Sequence, residues 1–189
     1  MVPPGASLLF LLILLTAGRA TSAAANNKPQ LQQLVQSTCN STTYYDVCVA
    51  ALAADPSSST AVDVRGLCAI AASAAATNAS AAGTSVLASA AAYQSQVPER
   101  AALLRACAAR YADARQALAS AQEAIKEEAY DYAFVHVSAA AEYPTMCRAL
   151  FRRTQTPRGY GYPSELVRRE EGLRRLCTVV LDIISLLVP

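Results

Sequence analysis

The sequence predicts an all-α protein: an up-down-up-down four-helix bundle, preceded by a short N-terminal helical hairpin and stapled by disulfides. The composition is rich in alanine, contains 6% aromatic residues and lacks tryptophan, which suits closely packed helices because alanine is the best helix former. Apolar residues recur at spacings of three and four along two long stretches, as on the buried face of a helix. No alternating run of β-branched residues lies between turn signals, so no strand is predicted.

The chain begins with a segment typical of a signal peptide, predicted over residues 1–23. An apolar core from Leu8 to Thr16 is followed by small residues, and its length fits a secretory leader. A membrane anchor would need a longer apolar span. We therefore expect cleavage between positions 20 and 25, secretion of the mature chain, and no membrane attachment after the leader is removed.

Residues 26–58 are predicted to form the helical hairpin. A polar start, Asn26–Gln30, is expected to be disordered, and a short helix then ends near Ser37. Cys39 and Cys48 enclose a short polar segment. A disulfide between them would staple a local hairpin without tying distant elements together.

The first bundle helix is predicted from Ala61 to about Gln96, where small residues follow heptad spacing. Thr60 precedes it and Asp63 lies three residues later, a pattern typical of a capping box. A break near Asn78 or Gly83 would instead give two shorter helices, because glycine costs about 1 kcal/mol relative to alanine in a helix.

Within the predicted bundle, residues 59–189, the centre is a pair of antiparallel helices from Glu99 to about Arg153. The first has an apolar stripe, and polar residues then crowd together around Glu127. Glu127 lies midway between Cys107 and Cys147. A reversal there would lay the two cysteines side by side.

The second helix of this pair continues the apolar pattern through Tyr132, Val135, Ala139 and Glu142. Pro144 should bend or loosen it, because its ring blocks a helical hydrogen bond.

The last helix follows a loop, Thr154–Pro163, with Ser164 as its cap. Its apolar stripe runs from Leu166 to Leu187. The apolar end could be mistaken for a lipid anchor, but it is short, contains Asp182 and keeps its helical phase. A core helix is therefore favoured.

Six cysteines follow the leader, and an even number in an oxidising compartment predicts disulfides. With one histidine and no C-x-x-C pair, neither a metal site nor a cofactor is expected. Cys68 and Cys177 lie at comparable heights on the neighbouring first and last bundle helices. A bridge between them is possible but needs a Cα separation under about 7 Å.

Charge and motif content argue against two function classes. The net charge is +2 and falls by one when Arg19 leaves with the leader, which argues against nucleic-acid binding. Glu127 and Glu128 point in different directions if helical, and the single histidine is accompanied by no nucleophile elbow. We therefore do not expect an enzyme.

Aromatic and acidic residues cluster at the predicted bend. Tyr130, Asp131, Tyr132 and Phe134 are candidate partner contacts, because interface hot spots favour tyrosine. The alternative, that they close the end of the bundle, stays open. His136 could make binding pH-sensitive, although a lone histidine on a helix is more often a surface or half-buried residue without such a role.

The cysteine-bearing segments occur in an order and spacing typical of one known family. They are Cys39-x8-Cys48 with Ala51-Leu52 and Asp55-Pro56; Cys107-x3-Tyr111-x-Asp113-Ala114 with Leu118; Tyr130, Ser138-Ala139-Ala140 and Cys147-x3-Phe151; and Leu176-Cys177 before an apolar tail. Over essentially all of its mature length, the chain resembles a plant invertase and pectin methylesterase inhibitor domain.

This resemblance implies a hairpin and bundle with two disulfides, Cys39 with Cys48 and Cys107 with Cys147. Cys68 is not among the four cysteines of the family. Members inhibit cell-wall pectin methylesterase, by docking the bundle over its substrate cleft, or acid invertase. Both complexes are non-covalent, so we expect a non-enzymatic inhibitor in the apoplast that binds its target one to one.

The resemblance favours pectin methylesterase as the target. Invertase inhibitors tend to have a Pro-Lys-Phe element near the turn where this chain has Glu128–Phe134, and the ending Leu176-Cys177 is more similar to pectin methylesterase inhibitors. Acid invertase remains the alternative. A non-inhibitory secreted bundle is a second alternative, and as a ligand carrier it would need an apolar cavity of several hundred Å³.

Two further surface features are predicted. Asn40 and Asn78 stand in Asn-x-Ser/Thr patterns and are glycosylation acceptors; whether Asn78 is accessible depends on which way its helix faces. A cluster of arginines could bind acidic pectin or an acidic enzyme surface, although a solvated basic face is the safer interpretation. The cluster comprises Arg148, Arg152, Arg153 and Arg158.

Overall fold

A computed structural model describes residues 20–153 and 161–188, with side chains from Pro29 onward. The elements are α1 (Ala20–Asn40), α2 (Tyr45–Ala53), a 3-10 helix (Pro56–Thr60), α3 (Val64–Tyr93), α4 (Pro98–Lys126), α5 (Tyr130–Glu142), α6 (Thr145–Arg153) and α7 (Ser164–Ser185). The predicted all-α fold is confirmed. Most of the predicted leader, residues 1–19, lies outside the described residues.

Helices α3, α4, α5 and α7 form the four-helix bundle. Around the ring, α3 packs on α4, α4 on α5, α5 on α7, and α7 on α3, as in an up-down-up-down arrangement with short connections. The helix after α5 begins beyond Pro144 and packs on α4. The sequence predicts one helix to about Arg153 that bends at Pro144, whereas the structure has two helices, α5 and α6, with a break at this proline.

The α3–α4 contact is close because α3 buries small residues. One continuous helix passes through both Asn78 and Gly83, so the alternative of two shorter helices is wrong. A Cβ added at Gly83 would lie 3.4 Å from the Cβ of Tyr111. Tyr111 is among the largest fully buried side chains, and the glycine leaves room for it between the two helix axes.

Two disulfides join neighbouring helices. Cys39 and Cys48 join α1 to α2 with a Cα separation of 5.5 Å, and Cys107 and Cys147 join α4 to α6 with a separation of 5.1 Å.

The third bridge that the sequence allowed, Cys68 with Cys177, is not formed. Both cysteines are free and fully buried. Apolar side chains of the core enclose the two thiols, and this burial raises the pKa of each to about 12. Both cysteines therefore stay protonated and act as small core residues.

The starts of two bundle helices differ from the prediction. Asp63 is the N-cap of α3, and its Oδ1 accepts a hydrogen bond from the Gly66 N–H at 2.7 Å. Thr60 ends the 3-10 helix instead, so the predicted capping box is wrong. Pro163 occupies the N-cap position of α7, and Ser164 is the first residue of that helix, without a side-chain cap.

Helix α1 is longer than predicted. It includes the segment Asn26–Gln30, expected to be disordered, and it continues past Ser37 to Asn40. Alanines are frequent just before this segment and favour a helix. At the other end, the last turn reaches Cys39, which its disulfide holds beside α2.

The helical hairpin is anchored to α7. The Thr43 N–H donates to Asp182 Oδ2 at 2.7 Å, and Arg174 Nη2 donates to the Tyr44 hydroxyl at 3.2 Å. The Tyr44 ring also lies below the Arg175 guanidinium, with 5.4 Å between Cζ and the ring centroid. Polar and cation-π contacts thus fix the hairpin on the bundle.

Candidate protein-docking surface

Helix α4 ends in a Schellman turn that sets the direction of α5. The Ala129 N–H donates to the Ala124 carbonyl at 2.9 Å, and the Glu128 N–H donates to the Ile125 carbonyl at 3.2 Å. Glu128 has φ 59°, the left-handed conformation that this motif requires and that glycine usually supplies. The reversal predicted from the cysteine spacing is therefore present at this point.

An ion pair ties this turn to the start of α3. The Arg65 guanidinium donates to the Glu128 carboxylate and lies 3.9 Å from the Asp63 carboxylate. All three side chains are exposed, so we expect the pair to contribute less than about 1 kcal/mol. The backbone hydrogen bonds, more than this pair, hold the turn.

Helix α5 packs on the bundle through small residues. Its buried positions are Ala133, Val137 and Ala140, whose spacings of four and three place them on one face. The predicted stripe through Tyr132 and Val135 is wrong, because that side of the helix faces outward.

The outer side of α5 exposes three large apolar side chains. The exposed fractions are 71% for Tyr132, 62% for Val135 and 47% for Phe134. At about 100° per residue, Tyr132 and Phe134 lie on opposite flanks of the helix, with Val135 and the exposed Asp131 between them. We call these four residues the α5 surface.

The other two predicted contact residues, Tyr130 and His136, lie at the edge of the α5 surface. Tyr130 is half-buried and packs against the core, and His136 is half-buried one turn after Tyr132. The structure therefore places Asp131, Tyr132 and Phe134 on the surface. It adds Val135, which the sequence pattern assigned to the interior.

The arginine cluster is only partly a free basic face. Glu170 of α7 is buried and accepts hydrogen bonds from Arg148 Nε at 2.9 Å and from the Tyr162 hydroxyl at 3.1 Å. The Phe151 ring meets the Tyr162 ring edge-on, with 5.4 Å between centroids. This cluster joins α6 to α7, and no sequence pattern predicts it because Arg148 and Glu170 lie 22 residues apart in the chain.

The other arginines of the predicted cluster have different surroundings. Arg152 and Arg153 are exposed, and Arg158 lies outside the described residues. The two glycosylation patterns also differ in exposure: Asn40 is exposed at the end of α1, whereas Asn78 is half-buried in the middle of α3.

An apolar groove of about 720 Å³ lies between α2, α3 and α7 and is open to solvent. Small side chains line most of it, among them Ala50, Ala74 and Ala81, together with Leu176 and Asn78. Its volume lies in the range of small-molecule sites. It is a shallow surface groove and not the enclosed cavity that a carrier bundle would need.

Within residues 20–153 and 161–188, no group of three or more His, Cys, Asp and Glu side chains converges to hold a metal ion. Within the same ranges, no helix has the length and apolar character needed to cross a membrane.

Two curated plant proteins are similar to this chain in sequence. Pectinesterase inhibitor 28 of Oryza sativa subsp. japonica is 60% identical over 168 residues, which cover 84% of this chain and 71% of that protein. Cell wall / vacuolar inhibitor of fructosidase 2 of Arabidopsis thaliana is 39% identical over 184 residues, 97% of this chain and 99% of that protein.

Solved structures support the fold. The crystal structure of a pectin methylesterase inhibitor from Arabidopsis thaliana matches with a TM-score of 0.57 at 17% identity, covering 82% of this chain and 96% of that one. A mutant form of a pectin methylesterase inhibitor from Arabidopsis matches with a TM-score of 0.54 at 20% identity, over 80% and 94%.

The sequence profile of one family covers most of the chain. The profile of the plant invertase/pectin methylesterase inhibitor family matches residues 33–183, which include both disulfides and all four bundle helices except the last two residues of α7. The protein therefore belongs to the plant invertase/pectin methylesterase inhibitor family.

Proposed function

We propose that this protein inhibits plant cell-wall pectin methylesterase by docking its helical bundle non-covalently over the active-site cleft of the enzyme, one to one. The observation that supports this target most strongly is the 60% identity to a rice protein named as a pectinesterase inhibitor. The Arabidopsis inhibitor of fructosidase, at 39% identity, makes acid invertase the alternative target.

The α5 surface is proposed as part of the contact. Tyr132, Val135 and Phe134 are exposed on a helix whose opposite face is fully buried, so binding would not have to order a loop there. A large aromatic residue on a rigid element is the usual form of an interface hot spot. A standard interface buries about 800 Å² per partner, and it would therefore extend beyond α5.

Inhibition of this kind needs no reactive group in the inhibitor, and we propose that the protein has no catalytic activity. Two disulfides fit an oxidising compartment and support secretion to the apoplast after removal of residues 1–23. The exposed Asn40 is the better glycosylation acceptor of the two, because Asn78 is half-buried within α3.

A paired enzyme assay tests the target. The purified mature chain is titrated against a plant pectin methylesterase and against an acid invertase. We expect pectin methylesterase activity to fall to a plateau at one inhibitor per enzyme, with invertase unchanged. Inhibition of invertase alone would establish the alternative, and unchanged rates for both enzymes would overturn the proposal.

A further inference from the structure

Exposed apolar side chains gather at one end of the bundle. Helix α3 begins there, α4 ends, α5 begins and α7 ends, and we call this end the base. Within the described residues, most of the large exposed apolar side chains lie in the linker before α3, in the first two turns of α5 or just after α7. They are Val62, Tyr132, Phe134, Val135, Leu186 and Val188. The α5 surface therefore adjoins a second exposed apolar area.

Val62 is the most exposed of these residues, at 88%. It lies in the linker between the 3-10 helix and α3, where the backbones of both its neighbours are extended. The Ala61 N–H donates to the Ser58 carbonyl at 3.3 Å, and Asp63 caps α3 by accepting from Gly66. Both ends of this short segment are anchored, so a partner could bury the valine without first ordering a loop.

A groove connects Val62 with the turn before α5. Its volume is about 500 Å³, and Val62, Ile70 and Arg65 are among the residues that line it. The Arg65 guanidinium also donates to the Glu128 carboxylate, and Tyr132 follows Glu128 by one turn. Val62 and the α5 surface are therefore parts of one continuous face.

The negative charges of this face are only partly balanced. Arg65 pairs with two carboxylates, and Lys126 pairs with one. Glu127 and Asp131 are exposed, and neither has an ion-pair partner within the described part of the chain. A partner complementary to this face presents basic groups around an apolar depression.

We propose that pectin methylesterase docks on the base as well as on the α5 surface, with Val62 in an apolar depression of the enzyme and basic enzyme groups facing Glu127 and Asp131. The choice of enzyme rests on the proposed function. A standard interface buries about 800 Å² per partner and so extends beyond α5. The base adjoins α5 and supplies both the exposed apolar side chains and the unpaired charges that such an extension needs.

A valine substitution tests the apolar part. Binding of the full mature chain to immobilised plant pectin methylesterase is measured by surface plasmon resonance. Val62→Ser should raise the dissociation constant about tenfold, because burial of a valine side chain contributes about this factor, and it should leave the urea midpoint unchanged. Val167→Ser is the matched control, because Val167 is an exposed valine at the other end of the bundle, on the first turn of α7. It should leave both quantities unchanged.

A double substitution tests the charges. Glu127→Gln/Asp131→Asn should lower the association rate constant about threefold at low ionic strength and make it less dependent on salt, because charges at an interface steer association. The matched control is Glu99→Gln, which removes an exposed carboxylate from the first turn of α4 at the other end of the bundle. It should leave the rate constant and its salt dependence unchanged.

Three outcomes would overturn the docking on the base and leave the inhibition proposal standing. They are wild-type affinity of Val62→Ser, an equal loss in Val167→Ser, or an unchanged or faster association of Glu127→Gln/Asp131→Asn. Binding that depends on Val62 without loss of enzyme activity would instead support the surface and overturn the inhibition proposal. No binding of the wild-type chain to pectin methylesterase would overturn both.

Discussion

Helices α3 and α5 both bury alanine, but they leave different side chains outside. Buried residues of α3 include Ala75, Ala79 and Ala82, and its exposed large apolar residue is Leu87, at 51%. The exposed large apolar residues of α5 are Tyr132, Phe134 and Val135. Helix α3 therefore has mostly small side chains on both its buried and its exposed faces. Helix α5 buries mostly small side chains and exposes large ones.

The difference in exposed side chains indicates different roles for the two helices. Small buried residues let helix axes approach, so both helices pack closely on α4. The core does not cover the large outer residues of α5 in this chain, and a cluster of exposed apolar side chains needs a reason other than stability. We interpret α3 as a structural helix and α5 as a structural helix that also offers a binding surface.

The largest expected effect comes from removing the disulfide whose loop contains α5. The Cys107–Cys147 disulfide closes a loop of 40 residues that contains α5, and on the chain-entropy model the double substitution Cys107→Ser/Cys147→Ser costs about 4 kcal/mol of unfolding free energy. Hydrogen exchange should show α5 losing more protection than α3. The matched control, Cys39→Ser/Cys48→Ser, opens a short loop in the hairpin and should leave protection of α5 intact. Equal loss in α3 and α5 would contradict the distinction.

The second effect is on inhibition and not on stability. Tyr132→Ala should weaken inhibition of pectin methylesterase about 30-fold, because a hot spot contributes about 2 kcal/mol. Its unfolding free energy should change by less than about 0.5 kcal/mol, since the side chain is mostly exposed. Leu87→Ala on α3 is the control and should change neither quantity. Inhibition constants and urea midpoints measure both, and an unaltered inhibition constant for Tyr132→Ala would remove Tyr132 from the interface.

Much of the bundle could be predicted from sequence because its signals are local. The continuous α3 and the end of α4 among polar residues around Glu127 each depend on nearby residues, and Pro144 marks the place where the helix after this turn is interrupted. The face of α5 could not be predicted in the same way. The larger side chains of Tyr132 and Val135 predict a buried face on their side of the helix, but the limited space beside α4 favours the smaller Ala133 there.

Long-range polar contacts could not be predicted from the sequence either. Glu170 pairs with Arg148, 22 residues earlier in the chain, and Arg169 donates to Ser85, 84 residues earlier, although nothing local marks these residues as neighbours. Such pairs depend on helix order and rotation together. Only a three-dimensional arrangement specifies both.

A smaller effect tests the interior of the α3–α4 pair. The Tyr111 hydroxyl is buried without a hydrogen-bond partner in the described residues, and burial raises the pKa of Tyr111 above its usual value. Tyr111→Phe should therefore keep the packing against Gly83 and increase the unfolding free energy by about 1 kcal/mol. Tyr162→Phe should lower it by about the same amount, because that hydroxyl donates to Glu170. Chemical denaturation of both variants checks the opposite signs; a loss in Tyr111→Phe would mean that the hydroxyl has a partner.

An effect of similar size concerns the turn that orients α5. Glu128 has φ 59°, which is unfavourable for a residue with a Cβ, and its carboxylate accepts a hydrogen bond from Arg65. Glu128→Ala loses the ion pair and keeps the backbone strain, whereas Glu128→Gly loses the ion pair and relieves the strain. We expect the glycine variant to be more stable than the alanine variant by about 1 kcal/mol. Thermal denaturation measures this difference in stability. Both variants lack the ion pair with Arg65, so its loss affects them equally. If the alanine variant were equally stable, the turn would not be held in the left-handed conformation, and the orientation of the α5 surface would have to come from its packing on α4 and α7 alone.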